Sequence, residues 1–354
     1  MRAESLEFFK AIVDAPSPSG FEQPAARVFR DYTSKFADEV VTDVHGNTWA
    51  ALNPKAEARV MLAGHMDEIG FQVAHITDEG LIYFMGIGGH DSMVPLGQRV
   101  WIHGRERIPG VISRKPIHLL ENSEKDKRPE LHDLWIDIGA KNKEEVETVV
   151  SIGDPVTYQW EFQHLMGDRV CARGFDNKMG AFIVAEALRL VAEKGVPEGV
   201  GVFAVATVQE EVGLRGAKTS AYAIGAQSGL AVDVDFAIDV PGLAKTRYGV
   251  SDMGKGPTVT RGSNINPVVF ETLMSVAKED GINVQVAAWP GGTGTDANAM
   301  QLNQAGMATG LVGVPIRYMH TPCELLELKD VEDCARLMAG YCLRVRPDTD
   351  FTPR

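Results

Sequence analysis

Two imidazoles and a set of carboxylates stand where apolar runs of this 354-residue chain stop. His65 and Asp67 follow Val60-Met61-Leu62-Ala63 in the segment Gly64-His65-Met66-Asp67. Glu210 and Glu211 follow the run 201–208, and Asp233 closes Gly229-Leu230-Ala231-Val232. Asp176 lies in Gly174-Phe175-Asp176-Asn177, and His320 in Tyr318-Met319-His320. Imidazole nitrogen with carboxylate oxygen is a donor set that suits zinc, cobalt or manganese. Two such dications would balance three ligand carboxylates (Asp176, Glu211 and Asp233) and one hydroxide. A pair of this kind lowers the pKa of bound water, so the chemistry is hydrolysis.

The spacing suggests a division of labour. In extended backbone, residues i and i+2 share a face, so His65 as ligand with Asp67 on its other ring nitrogen is the economical assignment. Adjacent carboxylates at the end of a buried strand repel unless a cation neutralises them. Glu210 and Glu211 would also diverge in extended structure, so one can bind metal while the other serves as general base. Asp176 directly precedes a helix and would serve as readily as an N-cap. Asp235 shares a face with Asp233, which leaves that ligand open by one strand repeat. No cofactor fingerprint competes: there is no Gly-x-Gly-x-x-Gly opening a helix and no phosphate-binding Gly-Lys-Ser/Thr loop.

These residues need strands to carry them, and the apolar pattern supplies strands. Residues 3–14 place Leu6, Phe9, Ile12 and Val13 on one helical face, and a second helix is expected over 22–36. Strands are expected at 39–44, 48–52 and 59–63. From 69 to 161 short strand-like runs are punctuated by glycine and proline, and only 142–148 looks helical; this is the texture of a β-rich unit. Beyond residue 169 the pattern alternates: helix 178–194, strand 201–208, helix 214–224, strand 229–236, helices 266–279 and 295–305, strand 307–314 and helix 328–345. The fold class expected is α/β. A mixed-sheet catalytic domain of residues 1–68 and 162–354 would be interrupted by a β-rich insertion at 69–161.

The bulk properties narrow the partners. A net charge of −13 argues against a nucleic-acid footprint. No run approaches the ~18 apolar residues of a membrane span, and the first twenty residues read as an amphipathic helix. The four cysteines, Cys171, Cys323, Cys334 and Cys342, form no Cys-x-x-Cys pair. They suit a reducing compartment, so a cytoplasmic enzyme is expected.

Taken together, the motifs resemble the TET-type dinuclear metallo-aminopeptidases, the group of glutamyl and deblocking aminopeptidases whose members are sometimes labelled endoglucanases. The resemblance rests on Gly64-His65-Met66-Asp67-Glu68-Ile69-Gly70-Phe71, Pro95-Leu96-Gly97-Gln98-Arg99-Val100, Ile136-Asp137-Ile138-Gly139-Ala140, Glu210-Glu211-Val212-Gly213, Gly294-Thr295-Asp296-Ala297 and Tyr318-Met319-His320-Thr321. It implies that Asp176 bridges two metal ions, zinc or cobalt, with His65 and Asp233 completing one site and Glu211 and His320 the other. Glu210 would be the general base, Asp67 would orient His65, and the Asp176-Asn177 peptide would be cis. It further implies a zinc-exopeptidase-like three-layer domain, with the insertion as a dimerisation domain. Homodimers would assemble into a dodecamer with active sites facing inward.

The chain departs from many relatives at Asp176-Asn177-Lys178, where they carry Asp-Asp-Arg, and at Pro95-Leu96-Gly97-Gln98, where the proline falls early. Neither departure removes a proposed ligand. The reaction expected is hydrolysis of N-terminal residues from short peptides. The nearest alternative is a related carboxypeptidase or N-acyl-amino-acid amidohydrolase, which would place its extra domain after the Glu-Glu pair. A glycosidase is further off, because it needs two opposed carboxylates rather than an adjacent pair. The loop 290–294 and residues 255–263, with Lys255 and Arg261, are the expected walls of the side-chain pocket.

Overall fold

The computed structural model describes residues 1–354, the side chain of Glu124 excepted. Its strands are β1 (Glu39–Thr42), β2 (Thr48–Leu52), β3 (Ala58–His65), β4 (Gly70–Ile76), β5 (Ile82–Ile87), β6 (Arg99–His103), β7 (Arg107–Ser113), β8 (Trp135–Asp137) and β9 (Pro155–Tyr158). There follow β10 (Gln163–His164), β11 (Arg169–Ala172), β12 (Val200–Thr207), β13 (Ser228–Phe236), β14 (Thr258–Gly262), β15 (Gln285–Trp289), β16 (Ala308–Ile316) and β17 (Glu324–Glu327).

Eight of these form one mixed sheet in the order β1-β2-β12-β3-β13-β16-β14-β15. The four central strands, β12, β3, β13 and β16, run parallel. Their sequences are near-continuous apolar runs because helices cover both faces, and β12 and β16 are buried along their whole length. Parallel pairing puts all four carboxyl ends on one edge of the sheet, where open α/β sheets form their sites. Register then sets the levels. Thr207 pairs with His65, and Ala231 with Ala63, so Asp233, two residues on, stands level with His65.

The Phe175–Lys194 helix crosses β3, β12 and β13, with the Ala3–Asp14 and Leu328–Cys342 helices packed on it. Every residue from Phe175 to Arg189 is buried, as expected of a helix enclosed between a sheet and a second helical layer. A Cβ on Gly64 would meet the Gly180 backbone at 2.4 Å, so glycine at that point permits the close approach of β3 to this helix. The Arg215–Ile224 and Asp296–Met300 helices pack on each other over the other face. The main core runs through Phe9, Met61, Leu62, Phe182, Leu230 and Tyr341.

Between β3 and β10 the chain closes a six-stranded barrel, β4-β5-β8-β7-β6-β9. It has its own core, including Phe71, Ile82, Val100, Ile136 and Val156. The remaining strands form a small antiparallel sheet, β10-β11-β17. No helix among the described residues is long and apolar enough to cross a membrane.

Three sequence expectations are corrected. The helix expected over 295–305 stops at Met300: Ala297 and Met300 are buried, but Leu302 is exposed and Gln304 adopts a positive φ. In the 69–161 stretch a short Asn122–Lys125 helix and two 3₁₀ turns join the helix near 142–148. Strands β14, β15 and β17 were not anticipated. β14 is flanked by glycine and proline, β15 is a largely exposed edge strand, and pairing of such short segments is set by distant neighbours rather than by local pattern.

Candidate metal centre

The seven residues singled out in the sequence meet at the carboxyl edge of the parallel strands. His65 ends β3, Glu210 and Glu211 follow β12, Asp233 lies in β13, and His320 lies in the loop between β16 and β17. Asp176 comes from the turn after β11. Its peptide bond to Asn177 is cis, and neither residue has helical backbone angles. Asn177 does the capping that the sequence left open to Asp176: its Oδ1 accepts the Gly180 N–H at 3.0 Å, and its Nδ2 donates to the Val232 carbonyl at 2.8 Å. The Asp176 carboxylate is thereby left for other partners.

That carboxylate divides between the two imidazoles. Its Oδ1 lies 3.3 Å from His65 Nε2, and its Oδ2 lies 3.2 Å from His320 Nε2. Asp233 Oδ1 is 3.7 Å from His65 Nε2, and Glu211 Oε1 is 3.8 Å from His320 Nε2. Two triads result, His65-Asp176-Asp233 and Asp176-Glu211-His320, each with its ligand atoms within 4.8 Å of one another and able to hold a metal ion. Glu210 belongs to neither; its Oε2 lies 3.7 Å from His65 Nε2. Asp235 is turned to another partner, its Oδ1 accepting the Phe236 N–H at 2.8 Å. Exposure is graded across the cluster: His65 is enclosed, while the His320 side chain is 35% exposed.

Buried polar groups brace these positions. The nearest acceptor for His65 Nδ1 is the Asp67 carbonyl at 3.0 Å, with the Asp67 carboxylate at 3.4 Å. Ser19 donates to Asp67 Oδ2 at 2.6 Å. Glu68, also buried, binds Arg173 and Lys178, and Lys178 donates to the carbonyls of Val13 and Ala15. This network ties the segment after His65 to the turn around Asp176 and to the end of the first helix. Sequence reasoning missed Glu324, whose carboxylate accepts the N–H groups of both Asp176 and His320. It also missed Asp296, which accepts a bond from Thr207. Asp296 sits in the Gly-Thr-Asp-Ala motif and had that signal; Glu324 had none. Of the expected pocket residues, Arg261 lies over the Phe270 ring and Lys255 is exposed.

The electrostatics ask for positive charge. Burial pushes the Glu210 carboxyl up to about 9, opposed by the His65 ring and aided by Asp233, Asp296 and Asp176. Burial, with Asp176 beside it, likewise raises Glu211 well above the carboxylate range, and burial raises Asp296 to about 7. Burial also works against ionisation of Asp176, but His320 and His65 hold it below its ordinary value. Glu211 Oε1 is buried with no hydrogen-bond partner among the described residues. An orphaned buried acceptor is costly, and this one faces the second triad. Donor type, charge excess and orphaned oxygen all fit divalent cations.

An α/β fold whose parallel strand ends gather histidines and carboxylates able to hold metal ions is the architecture of a metal-dependent hydrolase. The chain belongs to the M42 glutamyl aminopeptidase family, whose model matches residues 46–337. It is 35% identical over 352 residues to the lysyl aminopeptidase of Pyrococcus furiosus, covering 98% of this chain and 99% of that one. Its fold superposes on the crystal structure of a TET aminopeptidase from a marine sediment archaeon of the Thaumarchaeota with a TM-score of 0.93, at 36% identity over 98% of this chain and 97% of that one. The TET1 peptidase of Pyrococcus horikoshii, which can assemble into a tetrahedron or a large octahedral shell, matches with a TM-score of 0.85 at 31% identity, covering 96% of this chain and 100% of that one. The chain is therefore a peptide hydrolase of the aminopeptidase kind.

Proposed function

We propose that this aminopeptidase works through two divalent ions, zinc or cobalt, and releases N-terminal residues from short peptides. His65, Asp176 and Asp233 would hold one ion, and Asp176, Glu211 and His320 the other. The observation that carries this reading is the division of Asp176, one oxygen toward each imidazole. Bound there, the ions would lower the pKa of a shared water and polarise the scissile carbonyl.

The chain's own residues do the rest. Glu210 stands outside both triads, so its carboxylate is free to take a proton from the attacking water and deliver it to the leaving amine. Cations beside it would draw its raised pKa back toward neutrality. Asp67 holds the turn that carries Glu210. The free amine of the peptide would enter past His320 into a crevice rich in carboxylate.

The domain reading accompanies this proposal. Residues 1–68 and 162–354 would form the catalytic domain, and the insertion at 69–161 would pair two chains, with dimers building a dodecamer. The separate barrel core and the exposed Met85 and Val111 on barrel strands support that role, as do the assemblies of the relatives. Four free cysteines support work in a reducing, cytoplasmic compartment.

The deciding experiment strips the protein of metal, reloads it with one metal at a time, and tests free-amine and N-blocked aminoacyl substrates beside elemental analysis. Two ions per subunit and cleavage confined to free-amine substrates are expected. One ion per subunit, or equal cleavage of blocked substrates, overturns the reading.

A further inference from the structure

A second buried carboxylate besides Asp67 grips main chain at this centre. Glu324 opens β17, which pairs with β11 so that Glu324 lies opposite Ala172, just before the turn that carries Asp176. The residue is 2% exposed. Its Oε2 accepts the Asp176 N–H at 3.0 Å, and its Oε1 accepts the His320 N–H at 3.0 Å. Asp176 is the residue the two triads share, and His320 completes the second of them.

His320 needs such an anchor. It sits in a loop, its side chain is 35% exposed, and its φ of 61° is uncommon for a residue with a side chain. The Asp176 turn has non-helical angles at the very start of a long helix. One carboxylate bridging both N–H groups sets the distance between the two segments. We propose that Glu324 is a positioning residue for both metal ions, holding the Asp176 and His320 backbones at the separation their side chains need. This rests on the ligand assignment given above.

The choice of residue follows from donor counting. A glutamate side chain presents two oxygens, and here each accepts one N–H donor. Glutamine has the same shape but offers one oxygen and turns an NH2 toward the other N–H. Elsewhere in the molecule Asp330 makes the same kind of grip, accepting the N–H groups of Gly254 and Gly256. It therefore serves as a control for the purely structural effect of losing one.

The test compares wild type, Glu324→Gln and Asp330→Asn by metal content, chelator competition and the visible spectrum of the cobalt-loaded protein. Groups that orient ligands typically contribute about 10–100-fold in metal affinity. Glu324→Gln should loosen metal by that factor and shift the cobalt bands, while Asp330→Asn keeps both as in wild type. The proposal is overturned if Glu324→Gln matches wild type, or if Asp330→Asn loosens metal equally. A wild type that binds no metal removes the ligand assignment and Glu324's role with it; a wild type with two ions and an unchanged Glu324→Gln removes Glu324 alone. Should Glu324→Gln not fold, hydrogen exchange on metal-loaded wild type decides. Slow exchange in the peptides holding the Asp176 and His320 amides supports the grip, and open-loop rates there refute it.

Discussion

Asp67 Oδ1 accepts the Glu210 N–H at 3.0 Å, from a carboxylate with no exposed surface. The second oxygen takes the Glu211 N–H at 3.2 Å. One side chain at the end of β3 thus sets the turn after β12, and with it the separation between the proposed base and the proposed ligand. His65, in contrast, is held mainly by the Asp67 main-chain carbonyl. Asp67→Asn should keep the fold but misplace Glu210 and Glu211, with kcat falling about 10–100-fold, the range found for groups that orient a metal site. Steady-state kinetics beside elemental analysis checks this; an unchanged kcat would show that the grip is dispensable.

Glu210 lies in neither ligand triad. Glu210→Gln should therefore retain metal at wild-type stoichiometry and lose turnover by about 10²–10⁴-fold, the usual contribution of a general base. Loss of metal in this variant would move Glu210 into the ligand set.

Asp233 and Asp235 are one strand repeat apart, and only Asp233 stands level with His65. Asp233→Asn should bind one ion weakly and lose most activity. Asp235→Asn should keep both ions and lose well under tenfold in activity, on the order of 1 kcal/mol for one altered hydrogen bond. Elemental analysis of the pair separates them, and the reverse pattern would exchange their roles.

Lys178 is fully buried and donates to Glu68, Val13 and Ala15. Lys178→Met would leave two carbonyls unpaired and Glu68 balanced by Arg173 alone. Removing one partner of a buried ion network costs about 3–5 kcal/mol, and urea denaturation should show a loss of that size. A loss below about 1 kcal/mol, the level of a surface pair, would mean that water enters this site.

His103 in the barrel pairs with Thr157 Oγ1 at 2.8 Å, and burial, with Arg173 nearby, holds its pKa down at about 4. The unfolded chain takes up that proton near the ordinary histidine value of about 6.5. The unfolded state therefore binds more protons between those values, and stability falls as pH drops from 6.5 to 4. Allowing for partial exposure, the contribution is on the order of 2 kcal/mol. Urea denaturation at pH 7 and 4.5 should show wild type losing more than His103→Gln by about that amount; parallel losses would clear His103 of the effect.

Much of the catalytic sheet was legible in the sequence. Val60–Ala63, Gly201–Val208 and Gly229–Val232 read as buried strands because both faces of a parallel strand are covered, which leaves a continuous apolar run. Chemistry-bearing residues stood out because they interrupt such runs at the ends. The barrel segment was legible as β-rich, but its closure was not, since pairing β4 with β9 joins residues some eighty positions apart.

What the sequence determined by itself was therefore the seven candidate residues and the central strands that position them. Those follow from local apolar periodicity and from where it stops. Only the tertiary structure decided which groups meet. Register set Asp233 level with His65, the Asn177 side chain took the helix cap and released Asp176, and β17 brought Glu324 beneath both Asp176 and His320. These are relations between segments far apart in the chain. Hydrogen-bond register and side-chain packing specify them, and neither leaves a mark in the order of neighbouring residues.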